Sequence, residues 1–323
     1  MITKLAAALS VVALTVNSNA ADWEPIAPLP QQNGGFVCGA IIGEIVIIGG
    51  TNWKDGTKHW LSRIHAYNPA KDQWREVGTL DAPLAYAAAG QDAETLWFAG
   101  GSSGTATHPS VWKIGAGLSA KRALTLDAGT VLAGGALIGA TLYVLGGTDD
   151  MNQLNRVSRI FLAVDLHTGR TTRLADYPGP AFMIGAFAAC GERLFAFGGA
   201  RWDAGANAVA NFSSAYAYST AAQRWEQLPP LPGVIRGITA VALDDQHLLL
   251  AGGYKNDDEE FTADAFIFDV KALRYIPTKP LPYKALVSLV KSGEWLYCLG
   301  GEDRKQHRTD AAFRIRWKEL LPR

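Results

Sequence analysis

Short apolar runs recur along the chain, and six of them end at a pair of glycines. Each run has the length and character of a β-strand, for example residues 45–48, 194–197 and 248–251. The six doublets are Gly49-Gly50, Gly100-Gly101, Gly146-Gly147, Gly198-Gly199, Gly252-Gly253 and Gly300-Gly301. Their successive spacings are 51, 46, 52, 54 and 48 residues, so the sequence predicts one β unit repeated six times.

Aromatic residues seven positions apart mark the second half of three units. In each pair the first aromatic is predicted to end a third strand, a polar turn follows, and the second aromatic begins a fourth strand. The pairs are Tyr67 and Trp74, Tyr218 and Trp225, and Phe268 and Tyr275. The second and third units keep the glycine pair but lack the aromatic pair. Four strands per unit are therefore expected.

The two ends of the chain complement each other. Residues 23–30 are similar to an isolated fourth strand, whereas residues 311–317 are similar to a third strand that lacks a fourth. We expect the N-terminal strand to complete the last unit, because this pairing leaves no sheet edge open. A period near fifty with a glycine doublet is typical of kelch repeats. The sequence thus predicts an all-β, six-bladed kelch-type β-propeller over residues 21–323, as one domain.

The first twenty residues have the pattern of a secretory signal peptide. Lys4 precedes an apolar stretch at residues 5–16, which is too short to span a bilayer, and Ser18-Asn19-Ala20 fits a cleavage site. The alternative of a membrane anchor is disfavoured by the polar residues that follow the stretch. We therefore expect a signal peptide at residues 1–20 and a periplasmic or secreted protein.

Composition narrows the class of partner. Thirty basic and thirty acidic residues cancel, and no basic run is present, so no nucleic-acid partner is expected.

The three cysteines, Cys38, Cys190 and Cys298, lie in apolar runs and are interpreted as buried thiols. A disulfide between Cys38 and Cys298 stays open, because they fall on neighbouring blades.

The loops that follow the glycine pairs carry the candidate chemistry. They combine carboxylates, arginines and aromatics, a composition that suits a carbohydrate site near the propeller axis. Any one of these residues is more commonly a solvated loop residue. The loops are residues 51–54, 102–105, 148–151, 200–203, 254–257 and 302–305.

The sixth unit resembles one blade of a known family. In this unit Glu302 follows the glycine pair directly, and Arg308 lies six residues later, before Thr309-Asp310. This arrangement is similar to that of the bacterial N-acetylneuraminate epimerases, the sialic acid mutarotases. The first unit, with Gly34-Gly35 and residues 49–53, and the second, with Ala85-Tyr86, resemble the family's next two blades. The blade order implies the circularly permuted branch, although Leu84 stands where the family has an arginine.

The resemblance implies an enzyme that interconverts the anomers of N-acetylneuraminate or a related acidic sugar. It implies Glu302 as the base for the anomeric hydroxyl and Arg308 as the group that holds the substrate carboxylate. No metal and no cofactor are implied. The expected partner is a small-molecule sugar acid, no membrane anchor is expected, and a homodimer stays open. The predicted substrate-binding residues are Asn52, Trp53, Tyr86, Arg201 and Arg236.

Three alternatives remain at this stage. Kelch propellers also serve as non-catalytic modules that bind a glycan or a protein. A copper radical oxidase would need two histidines, two tyrosines and a cysteine, whereas the only closely spaced histidines are His59 and His65. Finally, Glu302 and Arg308 could form an ordinary surface ion pair, worth at most about 1 kcal/mol.

Overall fold

The computed structural model describes residues 22–322, which form six four-stranded antiparallel sheets arranged as the blades of a propeller. The predicted all-β, six-bladed fold is confirmed. The predicted signal peptide at residues 1–20 lies outside the described residues. None of the helical segments within residues 22–322 has the length and apolar character required to cross a membrane.

The strands follow the chain blade by blade, apart from the first, β1 (Glu24–Pro25), which belongs to blade six. Blade one contains β2 (Val37–Ile41), β3 (Glu44–Ile48), β6 (Arg63–Asn68) and β7 (Gln73–Thr79). A separate two-stranded ribbon, β4 (Thr51–Lys54) and β5 (Thr57–Trp60), is inserted between β3 and β6. Blade two contains β8 (Ala88–Gln91), β9 (Leu96–Ala99), β10 (Ser110–Ile114) and β11 (Lys121–Thr125).

The remaining blades repeat this order. Blade three contains β12 (Gly134–Ile138), β13 (Thr141–Leu145), β14 (Phe161–Asp165) and β15 (Thr171–Arg173). Blade four contains β16 (Ala186–Cys190), β17 (Arg193–Asp203), β18 (Ala208–Ser219) and β19 (Arg224–Leu228). Blade five contains β20 (Thr239–Ala242), β21 (His247–Ala251), β22 (Ala265–Asp269) and β23 (Arg274–Pro277). Blade six contains β24 (Leu286–Ser292), β25 (Trp295–Arg304), β26 (His307–Arg316) and β1; short 3-10 helices span Leu154–Arg156 and Trp317–Leu320.

The ring closes as the sequence predicts. Glu24 and Pro25 of β1 pair with β26, so the N-terminal strand completes blade six. The paired stretch is shorter than residues 23–30, because the prolines at 25, 28 and 30 have no N–H to donate. Isolated backbone hydrogen bonds continue the contact beyond Pro25, for example from the Ile26 amide to the Ala312 carbonyl at 3.1 Å.

The glycine pairs join neighbouring blades. The amide of Gly50 donates to the carbonyl of Leu84, on the segment that enters the next blade, at 2.8 Å. A Cβ on Gly49 would lie 2.1 Å from the same carbonyl oxygen, and both glycines have positive φ. The prediction that the second strand ends at the pair is wrong for blades four and six. There β17 and β25 continue past the glycines, because the following loops are long hairpins paired with β18 and β26.

The aromatic pairs are cross-strand partners within the core of their blades. Their ring centroids are 5.2 Å apart for Tyr67 and Trp74, 5.1 Å for Tyr218 and Trp225, and 5.0 Å for Phe268 and Tyr275. Such pairs contribute about 0.5–1.5 kcal/mol beyond the apolar area that they bury. Aromatics seven residues apart are thus opposite each other on neighbouring strands, because a tight turn between the two strands aligns them.

The cysteines are free thiols, so the disulfide that the sequence left open between Cys38 and Cys298 is absent. Burial raises the pKa of Cys38 and of Cys298 to about 12. Burial, together with nearby aspartates, raises the pKa of Cys190 to about 11. All three therefore act as small apolar side chains at neutral pH.

The segments that enter the inner strands form a chain of hydrogen bonds around the propeller axis. Five equivalent residues have left-handed backbone, with φ between 51° and 69°: Gly35, Tyr86, Leu132, Ile184 and Gly237. From Tyr86 to Gly237, each amide donates to the carbonyl of the preceding member, at 2.6–3.1 Å. Blade six interrupts this arrangement, because the equivalent residue, Val287, lies within strand β24. We call these five residues the axial ring.

Candidate functional site

A cavity of about 210 Å³ lies at the axial ring, where the interruption in blade six leaves space. Its polar residues are Tyr86 of blade two, Thr239 of blade five, and Ser288, Glu302 and Arg308 of blade six. The remaining lining is mainly apolar side chains and glycine backbone, including Ile184, Ile238, Leu286, Val287 and Gly237. Polar chemistry is therefore concentrated on one side of the axis. Three residues singled out from the sequence meet here.

Glu302 and Arg308 form an ion pair inside this cavity. Arg308 Nη1 lies 3.0 Å from Glu302 Oε2 and donates to the His307 carbonyl at 3.0 Å. The side chain of Arg308 is only 5% exposed, whereas that of Glu302 is 26% exposed. The alternative of a surface ion pair is therefore wrong, since the guanidinium is buried. Its Nε is buried beside Gly34 and has no hydrogen-bond partner within residues 22–322.

Two consecutive glycines make room for the site. A Cβ on Gly34 would lie 2.5 Å from Cδ and 2.8 Å from Nε of Arg308. A Cβ on Gly35 would lie 2.3 Å from Cε1 of Tyr86. Both side chains are thus packed directly against backbone, which fixes their positions in the cavity. The doublet at 34–35 was visible in the sequence, but its role needs the neighbouring blades in place.

Tyr86 links blade two to the ion pair. Its hydroxyl lies 3.3 Å from Arg308 Nη2 and 3.1 Å from Thr51 Oγ1. Lys58 Nζ lies 4.8 Å from the centroid of the Tyr86 ring, and the Trp60 ring meets it edge-on at 5.7 Å. Burial raises the pKa of the phenol, but the positive charges of Lys58 and Arg308 outweigh burial and lower that pKa below its ordinary value.

The ribbon of blade one contributes residues that the sequence analysis missed as site residues. Thr51 is opposite Trp60, and Trp53 is opposite Lys58, so these four side chains share one face of the ribbon. A signal for this arrangement exists in the sequence: Asp55-Gly56 predicts a tight hairpin turn, and both residues have positive φ. That turn aligns Lys58 and Trp60 with Thr51.

Asn52 and Trp53, which the resemblance implied as substrate-binding, lie on β4 beside strand β26. Neither lines the cavity that holds Arg308. Asn52 Oδ1 and Trp53 Nε1 are buried, and neither has a hydrogen-bond partner in the described part of the chain. The structure therefore places these two residues next to the site but not in its wall.

Arg201 and Arg236 are not brought together with Glu302 and Arg308. Arg201 lies on the long hairpin of blade four, where its Nη2 is 2.8 Å from Asp203 Oδ2 and its side chain is 40% exposed. Arg236 donates to Asn211 Oδ1 at 3.0 Å, and its guanidinium stacks 4.2 Å from the Tyr254 ring centroid. The expectation that they assist Arg308 is not supported by this geometry, because each is held by a local partner.

Histidine, cysteine and acidic side chains are the possible metal ligands of the described residues. Between residues 22 and 322, no group of three or more histidine, cysteine or acidic side chains could hold a metal ion. His59 and His65, the closest pair in sequence, lie on β5 and β6, which belong to different sheets.

Comparison with known proteins supports the kelch assignment and the resemblance. The Kelch motif matches residues 33–80. Over 183 residues, covering 54% of this chain and 43% of each relative, the chain is 30% identical to the N-acetylneuraminate epimerases of Brucella suis and Brucella melitensis biotype 1. It is also 24% identical over 161 residues, 49% of this chain and 42% of the relative, to a Kelch domain-containing protein of Vibrio cholerae serotype O1.

The match thus spans less than half the length of these curated relatives. Six four-stranded blades joined through their glycine pairs, together with these similarities, establish the architecture. The chain is a six-bladed kelch-type β-propeller that resembles the N-acetylneuraminate epimerases over about half of its sequence.

Proposed function

We propose that the protein is a mutarotase that interconverts the anomers of N-acetylneuraminate or a closely related acidic sugar. The observation that carries this proposal is the meeting of Glu302, Arg308 and Tyr86 in one cavity at the propeller axis. The similarity to N-acetylneuraminate epimerases supports it independently of the geometry.

The chemistry requires a base and a group that orients the sugar. Mutarotation opens the ring hemiketal and closes it again on the other face of the carbonyl carbon. Glu302 is partly exposed in the cavity and can accept the proton of the anomeric hydroxyl. Arg308 is almost fully buried and fixed by its contacts, so it can hold the substrate carboxylate in a defined orientation.

The charges around the cavity favour an anionic sugar. Glu302 neutralises Arg308, but Lys58 faces the Trp60 and Tyr86 rings and has no carboxylate within ion-pair distance among the described residues. One positive charge is therefore left over beside Tyr86. A carboxylate on the substrate would balance it, whereas a neutral sugar would not.

Proton NMR of freshly dissolved α-N-acetylneuraminate tests the proposal. We expect the wild-type protein to accelerate the approach to the α/β equilibrium near neutral pH. The variants Glu302→Gln and Arg308→Lys should lose most of this acceleration, while Asp203→Asn, a carboxylate outside the cavity, should keep it. An unchanged rate of equilibration with the wild-type protein would overturn the proposal for this sugar.

The second candidate is a propeller that binds an acidic glycan without catalysis. It is favoured by the contact between Glu302 and Arg308, because this ion pair engages a carboxylate oxygen that catalysis would need. Saturation-transfer NMR in the same samples separates the two functions. Binding without faster equilibration supports the non-catalytic module.

We also propose export to the periplasm or medium after cleavage behind Ala20. Lys4, the apolar stretch at residues 5–16 and Ser18-Asn19-Ala20 support this proposal. N-terminal sequencing of protein from the periplasmic fraction should begin at Ala21; a cytoplasmic protein with its first twenty residues intact would contradict it.

A further inference from the structure

We propose that the Tyr86 phenol is the general acid of the site, donating the proton that the ring oxygen takes as the hemiketal opens. This inference rests on the proposed mutarotase function and assigns the proton donor that the sequence left unidentified. It follows from the contacts of the hydroxyl, from the charges around it and from a comparison with the equivalent residues of the axial ring.

The contacts leave the phenol proton free to move. The guanidinium of Arg308 can only donate, so its contact at 3.3 Å uses a lone pair of the phenol oxygen. The Thr51 hydroxyl donates to the Gly34 carbonyl at 3.1 Å, which commits its own proton. Thr51 Oγ1, 3.1 Å from the phenol, is then the acceptor of the Tyr86 proton at rest. A ligand oxygen in the cavity can replace Thr51 as the acceptor.

The charges around the hydroxyl stabilise the phenolate that proton donation would produce. From the ribbon, Lys58 faces the ring; from blade six, Arg308 contacts the oxygen, with Glu302 on the far side of that guanidinium. No carboxylate contacts the phenol directly among the described residues. The lowered pKa of Tyr86 is consistent with this arrangement, because two cations outweigh the effect of burial.

The backbone conformation of Tyr86 is unusual for a residue other than glycine. Tyr86 has φ of 60°, a conformation that costs a residue other than glycine about 1 kcal/mol or more. The equivalent residues of blades three and four are Leu132 and Ile184, whose side chains carry no proton to donate. Of the five members of the axial ring, Tyr86 is the one with a titratable side chain, and it faces the same cavity as Glu302.

Ring opening transfers two protons, one at each oxygen bonded to the anomeric carbon. Glu302 takes the proton of the anomeric hydroxyl, and that oxygen forms the carbonyl of the open-chain keto acid. The bond between the anomeric carbon and the ring oxygen breaks, and its electron pair stays on the ring oxygen, which takes the proton of Tyr86. Rotation about the bond to the carbonyl carbon presents its other face. Reclosure reverses both transfers and restores neutral Tyr86 and ionised Glu302.

The test combines kinetics with direct titration of the phenol. Tyr86→Phe keeps the ring shape, so we expect an unchanged fold, a loss of about 100-fold in kcat, and a KM within a few-fold of wild type. The kcat/KM profile of wild type should fall at alkaline pH as the phenol ionises, and Tyr86→Phe should lack this limb. The ultraviolet absorbance of phenolate, taken as the wild-type minus Tyr86→Phe difference, should give the same pKa.

Lys58→Met sharpens the assignment, because removing one cation should raise the Tyr86 pKa and move the alkaline limb to higher pH. If Tyr86→Phe keeps wild-type kcat while wild type accelerates mutarotation, only the acid assignment is overturned. If wild type itself does not accelerate mutarotation, the proposed function fails together with it.

Discussion

The two sides of the propeller axis share one backbone architecture and differ in the side chains that they place at the axis. On the side of blades six, one and two, the cavity wall carries Tyr86, Glu302 and Arg308. On the side of blades three and four, the matching ring residues are Leu132 and Ile184, and Ala200 stands at the site that Glu302 occupies after the glycine pair. The backbone bonds around the axis are equivalent from blade one to blade five, and blade six interrupts them. The site therefore depends on that interruption and on the choice of side chain at repeated positions.

The charged residues of the two sides also differ in their partners. Arg201 and Arg236 on the opposite side are held by Asp203, Asn211 and Tyr254. On the site side, Lys58 faces aromatic rings and has no carboxylate partner among the described residues. Arg201 is therefore held by a carboxylate, whereas Lys58 is left without one and can attract an anionic ligand.

The largest expected effect comes from the base. Glu302→Gln preserves shape but cannot accept a proton, so the catalysed rate of mutarotation should fall by about 100-fold or more. Proton NMR time courses measure this rate. The matched change on the opposite side, Asp203→Asn, should leave it within about two-fold, on the order of the effect of a distant surface change. Equal losses in both variants would remove the distinction between the two sides.

A smaller loss of activity is expected when the packing of Gly34 against Arg308 is disturbed. Gly34→Ala would place a methyl group 2.5 Å from Arg308 Cδ, so the guanidinium must shift. We expect about a ten-fold loss of activity, since misplacement by a fraction of an ångström weakens orientation. Unfolding should become easier by about 1–3 kcal/mol, as for other overpacked sites. The control is Gly233→Ala between blades four and five, where nothing lies within 4 Å of the added atom, and it should behave as wild type in both assays.

The three cysteines should differ in their reactivity towards alkylating reagents. Because the thiolate is the reactive form, Cys38 and Cys298, with pKa values of about 12, should resist alkylation at neutral and mildly alkaline pH. Cys190 of blade four, with a pKa of about 11, should be the first to react as the pH rises. Mass spectrometry of iodoacetamide-treated native protein measures the order. Faster labelling of Cys298 than of Cys190 would contradict the burial of Cys298 in blade six.

The smallest effects belong to the arginines of the opposite side. Arg201→Ala removes an exposed ion pair, and Arg236→Ala removes a contact with Asn211, and neither Arg236 nor Asn211 lines the cavity. Neither should change the rate of mutarotation by more than about two-fold, on the order expected for changes away from the site. A loss comparable with that of Glu302→Gln would restore these residues to the substrate site that the resemblance implied.

The sequence predicted the fold more completely than the site, for a physical reason. Blade number and ring closure follow from local features, such as the glycine pairs and the isolated strand at residues 23–30, which recur at each unit. Arg201 was predicted to help bind the substrate, and it lies in a loop after a glycine pair. In the structure the loop of blade four is a paired hairpin, and Asp203 holds the arginine there. Lys58 was missed as a site residue because its partner, Tyr86, lies in another blade.

The most direct test of the claim that chemistry lies on one side of the axis is a single comparison of two double variants. Mutarotation of α-N-acetylneuraminate would be followed by proton NMR with wild type, Glu302→Gln/Arg308→Lys and Arg201→Ala/Arg236→Ala. We predict that the first double variant equilibrates the sugar at the uncatalysed rate and that the second matches wild type. Loss of the catalysed rate in the second variant, or its survival in the first, would contradict this account.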